Sequence, residues 1–394
     1  MNILVVNCGS SSLKFQLIDS DTEKANASGN CERIGLDGKI TYKANGKKTE
    51  IDVELPNHAV AIAKVLDLLV DNNDGVIKSL DEINAVGHRL VHGGEKFSSS
   101  VVITEEIIKE IETCNDLAPL HNPANILGIR ACQEVMPNVK HVAVFDTAFH
   151  QTMPPKAYLY ALPKEYYEKY GVRRYGFHGT SHSFVSKRLA ELAGLDYNNS
   201  KMIICHIGSG ASISAIKDGK SIDTSMGMTP LEGLVMGTRS GDIDPAIIEY
   251  ICQKEGISVS EMTLILNKNS GVLGLSGISN DFRDLVEARE QGNKDAKYAL
   301  EVLVNRVIKY IGAYYMELGG ADAIAFTAGG GENNSELRKD IMEGLSAIGI
   351  KMNEEANKKR GEEVLLSTSD SKVQVWVVPT NEELAIARET LRFV

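Results

Sequence analysis

The chain has 394 residues, more than one hydrophobic core usually supports, so two domains are expected. Its 53 Asp and Glu outnumber 42 Lys and Arg for a net charge of -11, which argues against a nucleic-acid backbone as partner and makes each Arg or His inside a Gly-rich loop informative. The six cysteines form no CxxC pair, no apolar run reaches the roughly 18 residues of a membrane span, and no basic leader precedes Ile3; reduced thiols, a cytoplasmic location and no membrane partner are expected.

In chain order, residues 3–6 read as a buried strand, Asn7-Cys8-Gly9-Ser10-Ser11-Ser12 as a tight turn, and 13–19 as an alternating strand. The turn and Lys14 offer amides, hydroxyls and a cation suited to phosphate oxygens or the water of a metal, although a Ser-rich hairpin is more often only a turn. A helix is expected at 60–70, then a strand at 83–86 that leads into His88-Arg89-Leu90-Val91-His92-Gly93-Gly94. Another helix covers 104–114, and the apolar strand 142–145 ends at Asp146. Met153-Pro154-Pro155 is the best punctuation between two halves.

Phe177-His178-Gly179-Thr180-Ser181-His182 precedes a helix over 183–193, so His178 lies just before a helix N-terminus, where anions are favoured. The i,i+4 spacing of His178 and His182 could suggest zinc, but the pattern is not HExxH and Gly179 argues against continuous helix across it; capping by Thr180, Ser181 or His182 is the simpler alternative. Strands 202–205 and 213–216, joined through His206-Ile207-Gly208-Ser209-Gly210-Ala211-Ser212, repeat the first hairpin about half a chain later, which suggests two domains of like topology. Arg239 sits in a Gly-bounded loop from Gly237 to Pro245, as Arg89 does in its own; two such guanidinium forks suggest an anion clamp, with structural salt bridges as the alternative. After a helix over 297–318, strand 323–326 runs into Thr327-Ala328-Gly329-Gly330-Gly331. The last helix, 382–391, follows Pro379-Thr380-Asn381, with Thr380 and Glu383 expected to form a capping box and Glu382 left free. The class is α/β.

Segments 7–14, 88–94, 175–182, 223–245, 327–333 and 380–383, in order, resemble the acetokinase family, within the superfamily of acetate and sugar kinases, Hsp70 and actin. The likeness runs from residue 2 to about 388. It implies two domains of similar ribonuclease-H-like, actin-like topology with an interdomain active-site cleft that closes over the substrates. Residues 1–148 plus 384–394 would form the first domain, and 149–383 a second that carries nucleotide-binding and dimer surfaces.

The implied activity is reversible, in-line transfer of the ATP γ-phosphoryl to acetate, giving acetyl phosphate and ADP, with Mg²⁺ (Mn²⁺ as substitute) and a homodimer. A kinase of propionate or another short acid is the near alternative, and an Hsp70- or actin-like ATPase the distant one. By the same resemblance Arg89 and Arg239 hold the carboxylate and the transferring phosphoryl, His178 donates to that phosphoryl, and His121 plays a lesser part. Asn7, Asp146 and Glu382 form the metal neighbourhood, with Asp146 orienting a metal water rather than carrying a covalent phosphate. Val91, Leu120, Phe177 and Pro230 surround the acetate methyl. Lys14, His206, Gly208, Ser209, Gly210, Asp281, Phe282, Arg283, Gly329, Gly330, Gly331, Glu332 and Asn333 match the nucleotide side. Two departures stand out: Ser209 replaces a usual Asn, removing a carboxamide near the β/γ-phosphates, and Gly330 replaces an apolar residue, which is expected to loosen the nucleotide loop.

Overall fold

The computed structural model describes residues 1–9, 11–119 and 121–394. The chain divides into two compact units, Met1–Ala148 with Asn381–Val394, and Phe149–Thr380. The first crossing falls a few residues before Met153-Pro154-Pro155. The second precedes residue 384, because Asn381 caps the helix Glu382–Leu391 through its side chain and stays with it.

The first unit holds one sheet made from β1 (Asn2–Cys8), β2 (Leu13–Asp19), β3 (Lys24–Glu32), β4 (Lys39–Ala44), β5 (Lys47–Asp52), β6 (Ile83–Leu90), β7 (Val101–Val102) and β8 (Lys140–Phe145), ordered β5-β4-β3-β2-β1-β6-β8-β7. Strands β1, β6 and β8 are parallel; β1 through β5 pair as an antiparallel meander. The near-continuous apolar run of β1 follows from burial on both faces. Ile3 and Val5 pack with Ile386 and Ala387 of the last helix, whereas Leu4 and Val6 pack with Ala61, Val65 and Ala131 from the helices His58–Leu69 and Asn122–Val135. Each such apolar side chain contributes about 1.5–3 kcal/mol when fully buried. Gly87 lets the last helix lie close on β6: a Cβ there would fall 2.3 Å from Thr390 Oγ1.

In the second unit β9 (Lys201–Ile207), β10 (Ala211–Lys217), β11 (Lys220–Thr224), β12 (Ala323–Thr327), β13 (Val364–Leu365) and β14 (Gln374–Val377) form a sheet ordered β11-β10-β9-β12-β14-β13. Again an antiparallel run, β9 to β11, is followed by parallel β9, β12 and β14. Strands β3-β2-β1-β6-β8 and β11-β10-β9-β12-β14 therefore share one winding, the like topology that the repeated hairpin suggested. The helix Gly179–Ala193 covers one face through Val185, Leu189 and Ala190. The helix Lys294–Leu318 packs across β9 and β10. Among the described residues no helix is long and apolar enough to cross a membrane.

Candidate active site

In open α/β sheets ligands gather beyond the carboxyl ends of parallel strands. In the first unit those ends carry Asn7 on β1, Arg89 on β6 and Asp146 just after β8. Arg89 grips Asp146 with both arms of its fork, Nε to Oδ1 at 3.1 Å and Nη2 to Oδ2 at 2.7 Å, and Nη1 reaches Asn7 Oδ1 at 3.5 Å. Asp146 is almost wholly buried. Burial pushes its carboxyl up and the Glu382 charge adds to that, while Arg89 and His121 pull it down. Arg89 in turn is held charged by Asp146, Glu382 and Glu383 against the cost of its burial. Asp146 thus pairs with the guanidinium directly, while Glu382 and Glu383 favour its charge from farther off.

Two buried asparagines on the helix Asn122–Val135 fix the loop after β6. Asn125 accepts from the Val91 amide (3.2 Å) and donates to the Cys8 carbonyl (2.6 Å), and Asn122 accepts from His92 N (3.1 Å) and donates back to its carbonyl (2.9 Å). Val91 is buried beside them. Leu120 lies outside the described residues, as does Ser10 of the first turn. Lys14 is exposed on β2, where it lines a cavity of about 430 Å³ with Lys43, Lys48 and Glu383. It belongs to the first unit, whereas the other residues expected around the nucleotide belong to the second.

The second unit repeats the plan with opposite charge. The turn between β9 and β10 is closed by Gly208 N to Gly210 O (3.1 Å), and Ser209 O accepts from Gly237 N (3.0 Å), which ties the Arg239 loop to that turn. A Cβ placed on Gly210 would sit 3.4 Å from Arg239 Nη1 and 3.5 Å from His178 Nε2, so both side chains converge on one point above the turn. Arg239 forms no ion pair among the described residues; its Nη1 donates to the Pro230 carbonyl at 3.2 Å. Burial without a counterion pushes its pKa down. His178 stacks on His206 with ring centroids 4.1 Å apart, and His206 Nδ1 lies 2.8 Å from Ser181 Oγ. Phe177 is buried, and its carbonyl accepts from His150 Nε2 at 2.9 Å.

Three expectations from sequence need correction. Thr180, Ser181 and His182 do not cap the helix Gly179–Ala193; His178 occupies the cap position in a left-handed conformation, and Ser181 is taken up by His206 and Thr380. The capping box of Thr380 and Glu383 is also absent, because Asn381 caps the last helix while Glu332 Oε1 takes the Thr380 amide at 3.0 Å. That same Oε1 accepts from Ala328 N at 2.7 Å, so Glu332 ties down the first residue of the helix Ala328–Asn333.

Gly330, third, lies in a helix, Ala328–Asn333, where a loop was expected, and it leaves no open space there. A Cβ there would lie 2.9 Å from both the Ile207 carbonyl and the Phe282 ring, so the ring already fills the space. Gly330→Ala should therefore cost about 1–3 kcal/mol through overpacking. A lowered thermal midpoint is expected, and an unchanged midpoint would mean that Phe282 yields freely. Asp281 caps the helix Phe282–Glu290 and pairs with the exposed Arg283, which holds its carboxyl below the usual range. Asn333 Nδ2 donates to Gly329 O at 3.2 Å.

Sequence reasoning missed the buried Arg338, which donates to the carbonyls of Gly331 (3.0 Å) and Glu332 (2.8 Å) and to Asn357 and Lys359, fixing the end of the helix Ala328–Asn333. An Arg inside a helix gives no signal of that role. His178 and His182 meet at a serine instead of a metal, Ser212 Oγ. Among the described residues no group of three or more His, Cys, Asp or Glu side chains is placed to hold a metal.

Residues 2–388 match the acetokinase family. The chain belongs to that family. A curated acetate kinase of Lachnoclostridium phytofermentans is 62% identical over 395 residues, and one of Agathobacter rectalis 63% identical over 396, each alignment covering the whole of both chains. Among solved structures, an acetate kinase of Porphyromonas gingivalis aligns with a TM-score of 0.96 at 47% identity over 99% of both chains. A propionate kinase of Francisella tularensis aligns with 0.94 at 44% over all of both.

Proposed function

We propose that the chain is an acetate kinase that transfers the γ-phosphoryl of ATP to acetate by direct attack of the carboxylate. The observation that carries this reading is Arg239, a half-buried guanidinium with no ion pair among the described residues, converging with His178 on Gly210. A cation partly withdrawn from water and left unpaired is a cost that an arriving anion would relieve.

Acetate is already ionised at neutral pH, as free carboxylic side chains are, so no general base is required. The obstacle is repulsion between carboxylate and polyphosphate. Arg239 and His178 supply positive charge and an N–H donor toward a phosphoryl group, and Arg89 supplies a second fork. Positioning and charge neutralisation are the main work of any phosphoryl-transfer site.

The donor set of the first unit suits Mg²⁺: one carboxamide oxygen on Asn7 and the carboxylates of Asp146 and Glu382, with negative charge in excess over Arg89. Such a small set of hard oxygens fits an ion that keeps several waters. When bound, Mg²⁺ would neutralise phosphate charge; Asp146 would orient a water of that ion while Arg89 holds Asp146 in place.

The short-acid alternative is favoured by one observation, the 44%-identical propionate kinase. Hydroxylamine trapping separates the readings. Protein with MgATP and acetate is expected to yield acetyl hydroxamate faster than propionate yields its own, at equal acid. Loss of ATP with no hydroxamate from either acid would favour the ATPase class and sink the proposal.

A further inference from the structure

Ser212 Oγ stands between two imidazoles, 2.9 Å from His178 Nδ1 and 2.7 Å from His182 Nε2. Ser212 is on β10 and fully buried, as is His182 in the first turn of the helix Gly179–Ala193. A hydroxyl carries one proton, so it cannot donate to both rings.

His182 decides the direction. Its Nδ1 is buried with no hydrogen-bond partner among the described residues. A buried N–H without an acceptor is rarer and more costly than an unused lone pair, so Nδ1 bears the lone pair and Nε2 the proton. His182 is also held neutral, since burial and the neighbouring His150 and His206 push its pKa well down. His182 Nε2–H therefore donates to Ser212 Oγ, and the Ser212 proton is left for His178 Nδ1. That places the proton of a neutral His178 on Nε2, the atom 3.5 Å from the Cβ position on Gly210 where Arg239 Nη1 also converges. The stack of His178 on His206 holds the ring plane in register.

We infer that Ser212 and His182 are positioning residues that fix the tautomer of His178, so that it presents an N–H and not a lone pair to the transferring phosphoryl group. The inference rests on the reading of His178 as a donor given above. Reversing the chain of hydrogen bonds would aim a lone pair at an anion.

The test is a nitrogen-15 spectrum of histidine-labelled protein near neutral pH without substrates, the His178 signals being assigned from their absence in His178→Asn. A protonated Nε2 and unprotonated Nδ1 on His178 are expected. A proton on Nδ1, alone or together with Nε2, would overturn the inference, and this reading needs no variant to be active. In Ser212→Ala the signals should move toward a mixture of tautomers. Its kcat should fall on the order of 10- to 100-fold, with KM for acetate and ATP within about twofold, because a donor is misdirected in the transition state while ground-state binding persists. Ser212→Thr, which keeps the hydroxyl on a strand that suits a β-branched residue, should recover both tautomer and kcat. An unchanged tautomer in Ser212→Ala would equally overturn the relay. Failure to form hydroxamate in the wild-type protein would instead remove the kinase reading and leave the measured tautomer to stand or fall alone.

Discussion

Arg239→Ala should lower kcat for acetyl phosphate formation on the order of 10²-fold or more while leaving the thermal midpoint nearly unchanged. The kinetic loss follows because a preorganised cation is removed from a charge-dense transition state in a desolvated place. The small stability effect follows from the same burial. Its half-buried guanidinium has, among the described residues, just the Pro230 carbonyl and the Met236 sulfur as side-chain partners, so relief of its partial desolvation offsets the lost packing. Lysine should rescue poorly, since a point charge cannot reproduce the fork. Near-normal kcat in the folded alanine variant would remove Arg239 from the site.

Arg89→Ala is expected to slow turnover to a similar degree but also to destabilise the fold by about 3–5 kcal/mol, because it strands Asp146 as an uncompensated buried carboxylate. The two arginines thus separate by stability, measured by thermal unfolding of both variants. Burial and Glu382 already push the Asp146 carboxyl up, and loss of Arg89 removes the main opposing influence. An acid whose folded pKa lies above its unfolded value loses stability as pH rises through that window. The penalty in Arg89→Ala should therefore be larger at neutral pH than near pH 5, and Asp146→Asn added to it should recover much of the midpoint. Equal penalties at both pH values, with no recovery in the double variant, would mean that the pair is not what stabilises this corner.

What the sequence disclosed was local. The two hairpins, the strand ends at Asp146 and Thr327 and the helix Glu382–Leu391 are written in runs of neighbouring apolar residues and in the glycines that follow them. Strands β3 to β5 were not legible, because β5 is an exposed Lys- and Glu-bearing edge strand with no apolar face and β3 is interrupted by Asn and Gly. The pairing of Arg89 with Asp146 spans 57 residues, and no periodicity encodes it. Only the resemblance put the two residues in one site.

Competition between equivalent groups accounts for the capping errors. Thr380 and Asn381 are both good caps in adjacent positions, and the choice fell to Asn381 once Ser181 and Glu332 engaged the Thr380 hydroxyl and amide. Those partners come from segments about 199 and 48 residues away, beyond the reach of local pattern.

His178 opens its helix with φ of +56°, a backbone geometry that costs most side chains roughly 1–2 kcal/mol and that asparagine tolerates better than most. An alanine at this position would delete the imidazole and keep the conformational demand, so any lost turnover would be a sum of missing chemistry and a relaxed turn. Asparagine keeps the turn and glycine relieves its strain, while both lack the ring. Rates for the Ala, Asn and Gly variants side by side would therefore resolve that sum into its two parts, and the part common to all three is the contribution of the imidazole.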